Sequence, residues 1–263
     1  MKRKLTVIVG LALMLAAIFA GCKEEAKGDA LQEIRKAGKL RIAMEGNWAP
    51  WTYHDENDVL VGYDVEVGRE IAKKLGVEAE FYEGAWDGLF AGVDSGRYDT
   101  VINGVDWTED RAAKYDFSDP YLKIYTVLIT KTEDDAIKSF EDLKGKKTAN
   151  SLESTYMQIA ESYGATVTGV DSLEETINMV LAGRVDATLN AEVSFDDYMN
   201  VHPDTPLKVA ARAKDANDVV IPFRKGDNTK TLREAVNQAI RELKADGTLK
   251  TLSEKYFGKD YTE

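Results

Sequence analysis

The chain has few of the side chains on which metal sites and many enzymes depend. Its 263 residues include one cysteine, Cys22, and two histidines, His54 and His202. A single cysteine excludes an internal disulfide, and these three residues are too far apart to match the usual spacing of zinc ligands. No nucleophile elbow, phosphate-binding loop or dinucleotide fingerprint is present. The sequence therefore predicts no metal and no cofactor.

Basic residues are also in the minority. Lysine and arginine total 34 against 46 aspartate and glutamate residues, which gives a formal net charge of -12. An acidic surface of this kind disfavours nucleic acid and anionic lipid as partners, because both carry negative charge. The charge alone does not identify a ligand.

A long hydrophobic run occurs only at the start of the chain. Three basic residues at 2–4 precede an almost wholly apolar stretch at 5–20, and Gly21 and Cys22 follow. This order predicts an export signal peptide over residues 1–21. The run also approaches the lower length limit of a membrane span, so an uncleaved anchor helix is the alternative. Residues 22–29 are charged and small, which indicates a tether.

The remaining chain alternates short β-rich runs with helical patterns. Val67, Ile71 and Leu75 recur at a spacing of four before Gly76, which predicts a helix over 64–75. The predicted strands span 40–44, 79–82, 100–103, 125–131 and 187–189, and the other predicted helices span 86–95, 139–143, 155–163, 173–182 and 231–245. Two successive cycles of this kind predict an α/β protein with two lobes, each built on a sheet covered by helices.

Several short motifs, in this order and spacing, resemble the polar amino acid substrate-binding proteins of bacterial ABC transporters (extracellular solute-binding family 3). They are WAPWTY at 48–53, VGYDV at 61–65, WDGL at 86–89, SGRYD at 95–99, TEDR at 108–111, YDFSDPY at 115–121, DLKGK at 142–146, GRVDA at 183–187, GTL at 247–249 and KYFG at 255–258. The cystine and general polar amino acid branch is the most similar. Residues 19–22 also resemble a bacterial lipobox, in which Cys22 is lipidated after cleavage.

The resemblance implies a two-lobe periplasmic-binding-protein fold of type II, with the ligand in the interlobe cleft. The chain would cross twice between lobes, with hinges near 121–125 and 217–221. Residues 30–121 and 221–263 would form lobe 1, and residues 125–217 would form lobe 2. The protein would be exported and lipid-anchored to the cell membrane, facing the periplasm or the cell exterior.

An amino acid ligand needs a partner for its carboxylate. A guanidinium matches two carboxylate oxygens, and the resemblance implies this role for Arg111. The alternative is a surface ion pair with Glu109 or Asp110. Free N–H groups at a predicted helix start, near Ser154 and Thr155, would supply a second anchor, unless Thr155 serves only as an N-cap.

The ligand ammonium needs an acid, and here the sequence departs from the family. The resemblance implies that Ala191 replaces an aspartate that binds the ammonium in many members. Asp106 lies where serine or threonine is usual, and Glu45 lies at an acidic position of the first lobe. We expect Asp106, with Glu45, to hold the ammonium, unless Asp106 is a loop acid facing water. Glu192 is a less suitable substitute because neighbouring strand residues face opposite sides.

The resemblance implies that Trp48 and Trp86 enclose the ligand side chain, since aromatic rings offer apolar contact and can face a cation. Trp86 could instead pack in the core with Leu89 and Phe90. Asn103 and the carbonyl of Gly104 would add polar contacts.

The predicted function is capture of a polar amino acid, either cystine or a basic amino acid, by a monomer that delivers it to an ABC transporter permease. Two other functions remain open. One is an exported dehydratase-type enzyme on the same fold, with Glu45 or Asp106 as general acid. The other is a receptor that reports its ligand to a separate signalling protein.

Overall fold

The computed structural model describes residues 28–263. The predictions for the signal peptide, for Cys22 and for most of the tether lie outside the described residues. None of the helices formed by residues 28–263 is both long enough and apolar enough to cross a bilayer.

The first part of the described chain forms a parallel sheet with helices packed on it. In order, its elements are α1 (Ala30–Ala37), β1 (Lys39–Met44), β2 (Tyr53–His54), β3 (Leu60–Val61), α2 (Tyr63–Leu75), β4 (Glu78–Glu83), α3 (Trp86–Asp94), β5 (Thr100–Val101), α4 (Glu109–Lys114) and β6 (Tyr115–Phe117). Strand β1 lies between β4 and β5 and runs parallel to both.

Helix α2 shows how the sequence pattern produces this packing. Val67, Ile71 and Leu75 are buried on one face of the helix, as their spacing predicts. Gly76 ends the helix in the left-handed conformation with φ of 78°, which a residue without a Cβ adopts without strain. The apolar face thus holds the sheet and helix together.

The second part of the chain forms a two-stranded and a three-stranded sheet, which a single bridge between Thr148 and Ala187 connects. Its elements are β7 (Leu122–Ile124), β8 (Thr126–Lys131), a 3₁₀ turn (Phe140–Leu143), β9 (Lys147–Asn150), α5 (Thr155–Ser162), β10 (Thr166–Gly169), α6 (Leu173–Leu181), β11 (Thr188–Ala191), α7 (Glu192–Val201) and β12 (Leu207–Arg212). Strand β8 pairs antiparallel with β11 and β12, whereas β9 and β10 pair in parallel.

The last part of the chain returns to the first. Its elements are β13 (Asn217–Val219), β14 (Pro222–Arg224), α8 (Asp227–Ala245) and α9 (Thr248–Phe257). Strand β14 pairs with β6, and α8 and α9 contact α2. The fold is therefore the two-lobe α/β type that the sequence predicts.

The two crossings between lobes lie side by side. Strand β7 leaves the first lobe and β13 returns to it, and the two pair antiparallel from Leu122–Val219 to Ile124–Asn217. Both strands fall within the ranges predicted as hinges. The lobe bounds and the bending of this strand pair stay predictions.

Candidate ligand-binding cleft

A cavity lies between the two lobes, and polar side chains from both lobes line it. The lining residues are Glu45, Asn47, Trp48, Trp86, Gly104, Asp106 and Arg111 from the first lobe and Asn150, Ser151, Ser154, Thr155, Tyr156, Ser172, Leu173, Thr176 and Asn190 from the second.

The cleft brings together eight of the ten residues predicted for the site. They are Glu45, Trp48, Trp86, Gly104, Asp106, Arg111, Ser154 and Thr155. Among residues 28–263 no group of three or more potential metal-ligating side chains is arranged to hold a metal ion.

Asn103 and Ala191 do not line the cleft. The Asn103 side chain is fully buried and donates to Glu45 Oε2 at 2.6 Å, while its Oδ1 accepts the Glu45 backbone N–H at 2.8 Å. Asn103 therefore positions Glu45 instead of meeting the cavity itself. Ala191 is buried in the core cluster that also contains Trp48 and Trp51.

Arg111 is buried, with 8% of its surface exposed. It lies on the short helix α4, whose N-cap Thr108 accepts the Arg111 backbone N–H. Its Nη1 donates to the Asp106 carbonyl at 3.0 Å and to Thr155 Oγ1 at 3.2 Å, and its Nη2 donates to the Glu153 carbonyl at 3.3 Å. Arg111 makes no ion pair with Glu109 or Asp110, so the alternative of a surface ion pair does not apply.

The geometry leaves part of the guanidinium free. A guanidinium has five N–H donors, and the protein contacts just described occupy three of them, so Nε and one Nη2 hydrogen have no acceptor within the described chain. The group also lies 5.2 Å from the centroid of the Trp86 ring. Arg111 thus bridges the two lobes and can still bind an anion in the cleft.

The Asp106 carboxyl is buried beside Arg111 and does not face bulk water, in contrast to the loop alternative. Burial raises its pKa to about 6, while the Arg111 charge and hydrogen bonds from Thr155 and Asn217 act in the opposite direction. The ionised form of a carboxylate that is poorly solvated in this way is stabilised when a ligand cation binds beside it.

The Glu45 carboxyl lies just beyond the carboxyl end of β1. Burial raises its pKa to about 7, the hydrogen bond from Asn103 lowers it, and the charge of Asp171 raises it further. Glu45 is therefore a second acid facing the cleft, close to the loop that contains Asp171.

Both predicted tryptophans line the cleft. Trp48 stacks on Trp51 with ring centroids 5.1 Å apart, and its Nε1 donates to Asn190 Oδ1 at 3.2 Å. Trp86 lines the cavity and also packs with Leu89 and Phe90 in the core. Trp86 thus packs in the core and also lines the cavity, and its contact with a ligand stays a prediction.

Gly104 allows the close approach of Trp48. It has φ of 55°, and a Cβ placed there would lie 2.7 Å from Trp48 Cζ3. Its N–H donates to Asp64 Oδ2 at 2.5 Å, which fixes the loop after β5. A side chain at this position would displace the ring.

Helix α5 points its N-terminus toward the Arg111 side chain. The N-cap is Ser154, whose hydroxyl accepts the Met157 N–H at 3.1 Å. Thr155 is the first helical residue, so the alternative of Thr155 as N-cap is wrong. Helix starts expose unpaired N–H groups and favour anions.

The interpretation of Glu192 also needs correction. It is not a strand residue facing the opposite side, because β11 ends at Ala191 and Glu192 begins α7. Its carboxylate accepts two hydrogen bonds from Arg212, at 2.7 and 3.0 Å. Glu192 is therefore already paired with a cation.

Ser151, which the sequence places on the second-lobe side, also lines the cleft, and seven further lining residues were not found from the sequence. They are Asn47, Asn150, Tyr156, Ser172, Leu173, Thr176 and Asn190. Most are uncharged and belong to no motif. Their position in the sheet could have indicated them. Ligands in α/β folds bind beyond the carboxyl ends of strands, and Asn150 and Asn190 lie at such strand ends.

A two-lobe α/β fold with a polar cleft between its lobes is the architecture of periplasmic solute-binding proteins. The model of the family described as bacterial extracellular solute-binding proteins, family 3, matches residues 40–259. The chain belongs to this family.

Two curated relatives are similar over nearly their whole length. The L-cystine-binding protein TcyA of Bacillus subtilis is 41% identical over 98% of this chain and 97% of its own. The L-cystine-binding protein TcyJ of Escherichia coli K12 is 35% identical over 96% of both chains. These relatives are binding proteins.

Solved structures show the same fold. An ancestral arginine-binding protein bound to arginine has a TM-score of 0.78 at 37% identity, covering 84% of this chain and 99% of its own. An ancestral amino acid-binding protein described as a precursor of cyclohexadienyl dehydratase has a TM-score of 0.78 at 32% identity, covering 88% of this chain and 100% of its own.

The L-cystine receptor of Neisseria gonorrhoeae in its unliganded open conformation is more similar in sequence, at 40%, but has a TM-score of only 0.60. It covers 89% of this chain and 99% of its own. The lower structural score agrees with closely apposed lobes in the present structure.

Proposed function

We propose that this protein captures a polar α-amino acid in the interlobe cleft and delivers it to the permease of an ABC transporter. The observation that carries the proposal is the buried Arg111, which retains free N–H groups beside the start of helix α5. This arrangement supplies a bidentate donor and a positive helix end for one carboxylate.

The ammonium group of the ligand would pair with Asp106. Its carboxyl lies beside Arg111 in the same cavity, so both charged groups of an amino acid find partners there. Trp48 and Trp86 would cover the remainder of the ligand and exclude water. Relatives named for cystine and structures named for arginine support an amino acid ligand and leave its side chain open.

The export signal and lipobox motif support a cell-surface location. We infer that Cys22 carries a lipid that anchors the protein to the outer face of the cell membrane, next to its permease, and that the protein acts as a monomer.

An exported dehydratase-type enzyme is the second candidate. A carboxyl whose pKa is raised to about 7, as for Glu45, could act as a general acid. The ancestral precursor of a dehydratase has the same fold. Receptor and enzyme differ in one outcome, because only the enzyme changes the mass of its ligand.

Isothermal titration against the twenty amino acids and cystine, followed by mass analysis of each mixture, tests the proposal. The protein should bind at least one polar amino acid, saturably and without turnover, at micromolar or lower Kd. A ligand product of altered mass would favour the enzyme, and absence of binding to any amino acid would refute the proposal.

Arg111→Ala tests the carboxylate anchor. We expect a loss of at least roughly 100-fold in affinity, because the variant removes a charge-assisted bidentate contact in a dry site. Arg97→Ala is the matched control, since Arg97 is exposed and does not line the cleft. Arg111→Ala with wild-type affinity would contradict the proposed anchor.

A further inference from the structure

The segment that follows β5 is paired with β13, one of the two strands that cross between the lobes. Two backbone hydrogen bonds of 2.9 Å join it to β13 and the residue that follows, from the Val220 N–H to the Val105 carbonyl and from the Trp107 N–H to the Asp218 carbonyl. Asp106 lies between these bonds and forms an antiparallel bridge with Val219. Because β13 also pairs with β7, the segment 104–107 runs as a third strand beside the two crossings. Two residues that line the cleft, Gly104 and Asp106, therefore lie on this segment.

A buried carboxyl connects this segment to the other crossing strand. Tyr121 directly precedes β7, and its N–H donates to the Val219 carbonyl at 3.0 Å. Its hydroxyl donates to Asp64 Oδ1 at 2.8 Å, and Asp64 Oδ2 accepts the Gly104 N–H at 2.5 Å. These contacts close a ring, called here the Asp64 ring, which runs from Gly104 along the segment to β13, from β13 to Tyr121, and through Asp64 back to Gly104.

Asp64 depends on both of its hydrogen bonds. It is fully buried in the first turn of α2. Burial raises its pKa to about 7, and among the groups of residues 28–263 only the hydrogen bonds from Tyr121 and Gly104 act in the opposite direction. A buried carboxylate that is held by hydrogen bonds alone loses much of its stabilisation when one donor is removed. The two contacts are therefore expected to break together.

We propose that Asp64 is a positioning residue that braces the ligand-facing segment 104–107 against Tyr121 at the start of β7. Asp64 does not line the cleft, so it acts on a ligand only through this segment. A segment that is ordered before the ligand arrives lowers the cost of binding, because less conformational freedom is lost. The effect on binding rests on the proposed function, since that function assigns Asp106 to the ligand ammonium.

A contribution to folding alone is the alternative role for Asp64. The two roles differ in which part of the molecule loosens when the ring is broken. A loss of global stability increases the hydrogen exchange of all core amides together, whereas the loss of a local brace increases exchange in the braced segment first.

Tyr121→Phe breaks the ring by removing one hydroxyl, and the chain offers a matched control. Tyr63 stacks on Tyr121 with ring centroids 6.2 Å apart and is also fully buried. Its hydroxyl has no hydrogen-bond partner within the described residues. Tyr63→Phe therefore makes the same substitution in the same core without touching the ring, and it should behave as the wild type does.

Hydrogen exchange of the protein without ligand is the first measurement. In Tyr121→Phe the amides of Gly104 and Trp107 should exchange roughly 10-fold faster than in the wild type. The amide of Ile42, which lies in β1 between two paired strands, reports global unfolding and should change less. Unchanged exchange at Gly104, or equal acceleration at all three amides, would overturn the brace.

Calorimetry with L-cystine and with L-arginine is the second measurement. Tyr121→Phe should weaken binding by roughly 3- to 30-fold, because the ligand must then order the segment that carries Asp106. Ile71→Val provides a control of stability, since Ile71 is buried in the same helix as Asp64 but does not belong to the ring. It should lower Tm by roughly 2–6 °C and leave affinity unchanged. Equal affinity losses in the two variants, or none in Tyr121→Phe, would overturn the positioning role.

Asp64→Asn is the second variant if Tyr121→Phe does not fold. An asparagine presents one acceptor and one donor, so it cannot accept from Gly104 and Tyr121 at once, and the same pattern is expected with larger changes. If the wild-type protein binds no amino acid, the proposed function fails. The exchange experiment needs no ligand and still decides whether Asp64 braces the segment.

Discussion

At the scale of single residues, three carboxyl groups lie in or beside the cleft and serve different purposes; those of Asp64 and Asp106 are buried, and that of Glu45 is half-buried. Asp64 accepts the Gly104 N–H and the Tyr121 hydroxyl, so both its oxygens are paired within the protein. Glu45 and Asp106 face the cavity instead. Burial raises the pKa of Asp64 to about 7, of Glu45 to about 7 and of Asp106 to about 6.

The raised pKa values predict a pH dependence of binding. A ligand ammonium pairs with the ionised form, so affinity should fall as pH is lowered from 8 to 5, by up to about tenfold per unit below the pKa values. Titration in two buffers of different ionisation enthalpy should show proton release near pH 6. An affinity that is constant from pH 5 to 8 would contradict pairing of these acids with the ligand.

The same groups act on the stability of the empty protein with the opposite trend. A carboxyl whose pKa is higher in the folded than in the unfolded protein stabilises the folded state most at low pH. This contribution is fully present below the unfolded-state pKa near 4 and is lost as the pH rises through the folded-state pKa values of about 6 to 7. Because this contribution is lost, the Tm of the empty protein should decrease as the pH rises over this range. Added ligand should offset the decrease.

Gly104→Ala tests the close approach of Trp48 to the backbone. The added Cβ would lie 2.7 Å from the ring at a backbone φ of 55°, so we expect a loss of about 1–3 kcal/mol in stability and weaker binding. Gly88→Ala is the matched control, because nothing lies within 4 Å of a Cβ there. It should be neutral or stabilising within α3. Thermal unfolding and calorimetry of both variants provide the measurement, and unchanged behaviour of Gly104→Ala would contradict the account.

At the scale of elements, the short helix α4 holds Arg111 in place. Its N-cap Thr108 accepts the Arg111 backbone N–H through Oγ1 at 3.2 Å. A helix of six residues has little stability of its own, so the cap contributes a large share of its order.

Thr108→Ala should weaken ligand binding by roughly fivefold, because loss of a cap costs about 1 kcal/mol and frees the segment carrying Arg111. Thr108→Ser retains the hydroxyl and should restore most of the affinity. Calorimetric Kd values of the two variants make the comparison. Equal affinities for the two would show that the cap does not matter for the site.

The elements also show what the sequence could predict. Helices with a clear apolar period, such as α2 and the core of α8, were found close to their observed bounds. Strands of two or three residues, such as β6, β7, β13 and β14, were missed because their pairing partners lie about a hundred residues away. Helix α7 was missed because it starts directly after β11 without a break.

The site was predictable where charge or aromatic character coincided with a motif, as for Arg111 and Trp48. The uncharged lining residues were not, because an asparagine is notable only once its partners are known. Asn150 is notable because it donates hydrogen bonds to Thr188 and Leu189, and no local sequence pattern includes these distant partners.

At the scale of the whole molecule, the lobes contact each other directly as well as through the cleft. The Trp51 indole donates from Nε1 to Ser194 Oγ at 3.0 Å, and both residues are 1% exposed. Ala191 and Val193 of the second lobe belong to the same core cluster as Trp51 and Tyr63. This contact stabilises the apposed lobes without touching the cavity.

Ser194→Ala should therefore weaken binding without altering the lining of the cleft. It leaves a buried indole N–H without an acceptor, which costs about 1–3 kcal/mol in the closed form. We expect affinity to fall by roughly 5- to 100-fold, mainly through faster dissociation in stopped-flow experiments. Ser162→Ala, on the exposed side of α5, is the control. An unchanged dissociation rate for Ser194→Ala would show that this contact does not hold the lobes together.

The most direct test of the central claim is a crystal structure of the protein with its amino acid ligand. The account predicts one α-carboxylate bridging the Arg111 guanidinium and the first N–H groups of helix α5, with an ammonium next to Asp106. A ligand carboxylate bound elsewhere, with the free Arg111 donors turned away from it, would contradict the account.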